Sequence, residues 1–253
     1  MNFWDRNPLY PHVRYFRNVF NKFYKTGNMK FLLFFLIILF FRPCDEHNHS
    51  FTSEDSVVTR ISLSENQKKV LTGAKKCLEA GFSYDLTMGY YVCTYRNGFN
   101  TGSMVFPGGD ISPDIGVCTD VIIRALRWGG VCDLQERIHN DIKSDWGDYP
   151  MKRWSAKKPD PNIDQRRVPV QMVWFSKYWT KLPEGSEFIP GDIVAWDMNN
   201  DGWGDHIGIV SDYIKDGVPY LIHNFPDPGY VAEENVLYRW TIIGHYRIPE
   251  GFK

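Results

Sequence analysis

With 253 residues, 43% of them hydrophobic and 23% charged, the chain has the composition of an ordinary globular protein with enough apolar side chains for a sizeable core. A formal net charge of -1 provides no long-range field to gather nucleic acid or anionic lipid, so the sequence argues against nucleic acid as a partner.

The first feature in chain order is the apolar run FLLFFLIILFF at 31–41. It falls well short of the roughly 20 residues a spanning helix needs and fits the apolar core of a secretory signal. Met29-Lys30 then forms an ordinary charged leader, with translation starting at Met29. The alternative is that residues 1–28, with Arg14, Arg17, Lys22 and Lys25 among aromatics, form a basic amphipathic arm on a membrane surface. Cys44 resembles the lipid-acceptor cysteine of bacterial lipoproteins, although Arg42 and Pro43 stand where small residues normally precede it.

Residues 1–44 are therefore expected to be a signal or membrane-targeting segment, and 45–62, led by Asp45, Glu46, His47 and Asn48, a flexible tether. The folded domain is expected over 63–253, exported to the cell envelope and tethered to the membrane by the N-terminal segment. Export permits disulfides. Cys77 with Cys93 is the preferred pair because both precede Cys118, although sequence does not fix connectivity.

Ser64 to Ala80 reads as a helix, with Val70, Leu71, Ala74 and Leu78 on one face, a Ser64-x-x-Gln67 capping box and Gly81 as the stop. Tyr90 to Tyr95 is a short strand candidate, followed by the Gly- and Pro-rich loop NGFNTGSMVFPGGDISPD. A helix opens at Cys118 and ends at Gly129-Gly130; Leu134 to Lys143 and Val170 to Trp179 suggest two more around a proline-stiffened loop, WSAKKPDPNIDQRRVP. From Pro190 the period changes to strands: GDIVAWD, HIGIVSD, PYLIHN and TIIGHYRI. Helices first and an antiparallel sheet later define an α+β fold, with helices packed on a C-terminal sheet.

The stretch DIGVCTDVIIRAL carries the chemistry question. Cys118 shares a helix face with Val121, Ile122 and Ala125, as a core residue would. It also lies in the helix's first turn, where free backbone N–H groups and the positive end of the dipole stabilise a thiolate. Asp114 or Ser112 is expected to cap that turn, and Asp120 to complement the dipole. A cysteine nucleophile needs an imidazole within reach, and the imidazole needs an orienting group. His206 opens one strand and His223 closes the next. The turn at Lys215-Asp216-Gly217 brings the two to similar levels, and Gly208 leaves room for a helix end.

A helix-start cysteine followed by two neighbouring strands that each bring a histidine is the arrangement of the papain-like clan. The segments FPGGDISPDIGVCTDVIIRAL, PDPNIDQRRVP, PGDIVAWD, DHIGIVSD, LIHN and IIGHYR, in that order, resemble the YijF-like bacterial envelope family of unknown function. That family is related to NlpC-type papain-like cell-wall peptidases and amidases. The resemblance implies a papain-like fold with Cys118 as nucleophile, His206 as base and His223 as orienter, Asn224 being its understudy. It implies a cysteine hydrolase cutting amide bonds of peptidoglycan or muropeptides, without a cofactor. Two departures bear on substrate preference: the usual Asp-Cys-Ser-Gly is Val117-Cys118-Thr119-Asp120 here, and Asn97 to Met104 reads as an insertion. The same residues would also serve an acyltransferase or thioesterase. Outside catalysis, the fold would serve a silent cell-wall-binding module.

Two further motifs carry open readings. Arg166 and Arg167, on the proline-stiffened loop, either grip a substrate carboxylate or pin the loop through internal ion pairs. Asp120 and Asn224 are the other candidate substrate contacts. DMNNDGWGD at 197–205 spaces Asp197, Asn199, Asp201 and Asp205 like the start of a calcium loop, but its twelfth position is Gly208 instead of glutamate. A polar hairpin tip is the preferred reading there, and no metal site is assigned.

Overall fold

The computed structural model describes residues 62–86 and 90–253. The expected signal segment, Cys44 and the tether up to residue 61 lie outside the described residues.

Helix α1 runs Glu65–Ala80. Ser64 caps it, its hydroxyl accepting from the Gln67 N–H while Gln67 reaches back to the Ser64 N–H, and Gly81 closes it in the left-handed region at φ 57°. The expected strand at 90–95 is not formed. The Cys93 N–H is taken by the Asn162 side chain at 2.9 Å instead, and strand pairing begins only at Tyr95, where Tyr95–Arg96 (β2) pairs with Phe99–Asn100 (β3) and Tyr95 also bridges Asp110. Two more short strands, Ser83–Tyr84 (β1) and Ile115–Gly116 (β4), pair in parallel just ahead of the cysteine helix.

Helix α2 is Cys118–Trp128. It lies directly against α1: a Cβ on Gly73 would stand 1.8 Å from the Ala125 carbonyl oxygen, and one on Gly129 would stand 2.1 Å from that of Lys69. Only glycine permits this backbone-to-backbone approach. α3, Leu134–Ser144, and α4, Val168–Tyr178, complete the helices near the expected bounds.

The remaining strands are β5 (Thr180–Lys181), β6 (Ile193–Asp197), β7 (His206–Lys215), β8 (Val218–Asn224), β9 (Val231–Glu234) and β10 (Thr241–Arg247). They form one antiparallel sheet in the order β5-β10-β6-β7-β8-β9. Alternation gives it two apolar faces. Ile193, Ala195, Ile207, Ile209 and Ile222 pack with Val121, Ile122 and Ala125 of α2 in the main core. Val194, Trp196, Val210 and Leu221 face the other way, under Val236, Leu237 and Trp240. The sheet is thus covered on both sides, by helices on one and by the β9–β10 connection on the other.

The expected disulfide is absent. Cys77 and Cys93 are both free and buried. The first packs between α1 and α2 with its thiol on the Val121 carbonyl, and the second lies against the loop at Asn162.

At 197–205 the Asp197 carboxylate accepts the N–H groups of Asn199, Asp201 and Gly202, at 3.3, 3.2 and 2.7 Å. The loop therefore closes on itself. Asp197, Asp201 and Asp205 bring one carboxylate oxygen each within 4.8 Å of one another, without the bidentate glutamate that tightens a calcium loop. Calcium equal in concentration to a millimolar Kd would add only about 0.4 kcal/mol of stability. The expected result is a melting temperature nearly unchanged by 1 mM calcium, with an equally small calcium shift in Asp201→Ala. Differential scanning fluorimetry of both proteins checks it.

Candidate active site

The loop before α2 is built around Arg124. This guanidinium is fully buried and bidentate on Asp110, at 2.9 and 3.0 Å, and it also donates to the carbonyls of Ile115 and Ser112. Neither Asp114 nor Ser112 caps α2. The cap is Asp120, whose Oδ2 accepts the Val117 N–H at 2.8 Å. The Asp120 carboxylate also pairs with Arg166, through Nε at 2.8 Å and Nη2 at 3.1 Å. Arg167 binds Asp164 at 3.0 Å and stacks over Trp154. Of the two readings open for the arginines, the structure thus takes internal pairing. Both guanidinia pair with carboxylates of the protein, and both oxygens of Asp120 already accept donors of the protein.

Cys118 begins α2 with 8% of its surface exposed. Burial pushes its thiol up to about 12, the backbone N–H groups of Ile207, Thr119 and Cys118 itself pulling the other way. The N–H groups that would favour a thiolate are in place, and burial opposes them. The sulfur lies near the Ile207 N–H, and the Ile207 side chain packs on the helical face of the sheet; along β7 the neighbouring His206 side chain points to the opposite face.

His206 and His223 lie on that opposite face, both nearly fully buried. Nε2 of His206 stands 2.9 Å from Nδ1 of His223. The His206 ring stacks on Trp196, centroids 5.5 Å apart, with Trp240 and Phe225 edge-on. Trp196 is fixed in turn by its indole N–H on the Leu237 carbonyl at 3.0 Å. The space at Gly208 serves this cluster instead of a helix end, since a Cβ there would come within 3.3 Å of His223 Cβ and 3.4 Å of Trp196. With Nε2 engaged, Nδ1 is the atom His206 has available for a thiol. Asn224 donates to the carbonyls of Phe82 and Gly116, both at 3.2 Å, so it ties the sheet to the β1–β4 segment.

Two residues escaped sequence reasoning. Tyr84 pairs with Gly116 across β1 and β4, and its phenol is raised first by burial and then by the nearby Cys118 sulfur. Glu234 on β9 places Oε2 3.2 Å from Nε2 of His223. The turn PDPG at 226–229 returns the chain from β8 to β9 and was the signal available for it.

Desolvation lowers His206 well below its ordinary value and His223 to about 4. Burial thus disfavours the charged forms of the thiol and of both imidazoles. The same burial has a stability consequence. An unfolded histidine takes up a proton near 6.5 while folded His223 resists until about 4, so its contribution is whole above 6.5 and is lost as pH falls through that window. The loss is on the order of 3 kcal/mol for His223. Asp164, raised to about 6 by burial, acts with the opposite sign. The test is therefore a difference: Tm measured from pH 7.5 to 4.5 should fall less steeply in His223→Gln than in the wild type. Parallel curves would contradict a buried neutral His223.

The fold and this cluster define the class, an α+β domain with a helix-start cysteine at the end of a sheet that carries two bonded imidazoles. The chain belongs to the family described as a domain of unknown function, DUF1287, whose model matches residues 90–248. It is 45% identical over 148 residues to the uncharacterized protein YijF of Escherichia coli K12, covering 57% of this chain and 69% of YijF. Solved structures with a similar course include NlpC2 from Trichomonas vaginalis, at 13% identity and TM-score 0.39, covering 74% of this chain and 47% of NlpC2. An N-acetylmuramoyl-L-alanine amidase from Bacteroides uniformis is 16% identical with TM-score 0.41, covering 73% of this chain and 99% of the amidase.

Proposed function

We propose that the protein is a cysteine hydrolase that cuts amide bonds of peptidoglycan or its stem peptides, exported and held at the membrane by its N-terminal segment. The observation that carries this reading is the 2.9 Å bond between His206 Nε2 and His223 Nδ1, at the strand end whose next N–H points to the Cys118 sulfur. In this reading Cys118 is the nucleophile, His206 the base and His223 its orienter, the last two already bonded to each other. Cys118 attacks the amide carbonyl as His206 takes the thiol proton. His206 then protonates the leaving amine, which leaves a thioester that water hydrolyses. The Cys118 backbone N–H is the candidate oxyanion donor. Peptidoglycan is the substrate that an envelope address and the NlpC-type resemblance of the motifs jointly favour. The address rests on the apolar run at 31–41.

Digestion of purified sacculi, with mass analysis of the released fragments, tests the reading. No fragment released by wild-type protein would end it. The burial of Cys118 favours one alternative, a silent cell-wall-binding module. Iodoacetamide separates the two, since an enzyme's Cys118 is alkylated selectively and a core cysteine is barely touched.

A further inference from the structure

We infer that the Glu234 carboxylate fixes the tautomers of His223 and His206 and so makes Nδ1 of His206 the basic atom available to Cys118. This positioning role deepens the hydrolase reading and rests on it.

The placement follows from strand alternation. In the β8–β9 pair Ile222 lies opposite Glu233 and Leu221 opposite Glu234, so the two adjacent glutamates point to opposite faces. Glu233 turns to the helical side, where Lys75 Nζ meets it at 2.7 Å and the Ser211 hydroxyl also binds it. Glu234 turns to the face of Leu221 and His223, diagonal to His223 across the pair. Its Oε2 and the Nε2 of His223 are buried and, among the described residues, have no hydrogen-bond partner. They stand 3.2 Å apart, within reach but off the line of a good hydrogen bond, so a small turn of the carboxylate completes it.

Proton counting does the rest. A neutral imidazole has one N–H and one lone pair, and an ionised carboxylate only accepts. Facing Glu234, His223 must carry its hydrogen on Nε2, which puts its lone pair on Nδ1. The 2.9 Å contact is then His206 Nε2–H donating to His223 Nδ1. That leaves the His206 lone pair on Nδ1. One carboxylate on an edge strand thus decides the direction of two hydrogen bonds. In the reverse order, with His223 donating to His206 Nε2, the His206 hydrogen sits on Nδ1 and cannot receive the thiol proton. No other carboxylate among the described residues is paired with either ring. Burial pushes the Glu234 carboxyl up, and Arg239, which lies over Phe225 and Trp240, pulls it back toward the ionised form; burial first, and then the same guanidinium, lowers both imidazoles.

The test is the ring nitrogen-15 spectrum of the full chain at pH 7.5, with the two histidines assigned by His206→Gln and His223→Gln. The expected pattern in the wild type is a protonated Nε2 and a lone-pair Nδ1 on both rings. In Glu234→Leu the reverse order should become populated on both rings together, and Cys118 alkylation by iodoacetamide should slow about tenfold. A merely structural Glu234 would shift Tm and leave the tautomers alone. If Glu234→Leu does not fold, Glu234→Gln replaces it. Its amide can donate as well as accept, so both orders should then appear. The inference is overturned by the reverse order in the wild type, or by an unchanged order in a folded Glu234 variant. The expected tautomers together with an unreactive Cys118 would support the assignment while ending the hydrolase reading.

Discussion

Cys118→Ala and His206→Ala are each expected to abolish amide hydrolysis, lowering the rate by a factor on the order of 10⁴ to 10⁶, because nucleophile and base act as one unit and losing either costs about as much as losing both. The structure sharpens the controls. Cys118→Ala removes one sulfur from a nearly closed site, which costs on the order of 1 kcal/mol. His206→Ala is harsher, since the ring fills a space between Trp196, Trp240 and Phe225, and emptying it costs on the order of 3 kcal/mol. His206→Gln fills more of that space and is the better test of the base. His223→Ala should be milder, about 100-fold, because it removes an orienting group and leaves the thiol and His206 in place. Melting curves and sacculus-digestion rates measured on the same samples separate the roles. A stable Cys118→Ala protein that digests at the wild-type rate would end the hydrolase proposal.

What the sequence disclosed about this site depended on how local each feature is. The capping box at Ser64 and Gln67 lies within four residues, and the structure builds it with both expected bonds. Strands β6, β7, β8 and β10 each carry an alternating or apolar run bounded by turn residues, and they form where the pattern put them. His206 and His223 were brought to adjacent strands by one short turn, which is also a local signal. Long-range pairings were the weak point. Asp120 and Arg166 are 46 positions apart, and nothing in either segment told an internal ion pair from a pair of substrate contacts. Cys77 and Cys93 lie close in sequence, yet α1 carries one into the interface with α2 while the other turns to the 162–165 loop. Glu234 belongs to the four-residue edge strand VAEE, too short and too polar to show a period. Its pairing with His223 depends on the β8–β9 register, which only the folded sheet defines. The helix start that favours a thiolate at Cys118 is visible in sequence, whereas the burial that opposes it is set by distant parts of the chain.

Asp120→Ala is expected to be the most destabilising single change near the site, by about 3–5 kcal/mol, and to do so without being a substrate contact. The carboxylate is 2% exposed and serves two donors at once, the Arg166 guanidinium and the Val117 N–H. Removing it strands a guanidinium that is itself only 5% exposed, and an unpaired buried charge carries a penalty of that size. It also uncaps the first turn of α2, the turn that begins with Cys118, for about 1 kcal/mol more. Since an ordinary domain is stable by only about 5–15 kcal/mol, this variant should unfold at markedly lower denaturant. Removing both charges tells a different story. Asp120→Leu with Arg166→Met leaves no orphan charge, so the double variant should recover most of the loss, as buried ion pairs replaced by apolar groups commonly do. Urea unfolding of Asp120→Leu, Arg166→Met and their double forms the cycle that measures the coupling. Were Asp120 a substrate contact, the single variant would melt like the wild type and show only a raised KM. A large coupling energy with no change in KM would assign the pair to holding the Cys118 helix against the 164–167 loop, where the Arg166 carbonyl also accepts the Thr119 hydroxyl at 3.3 Å.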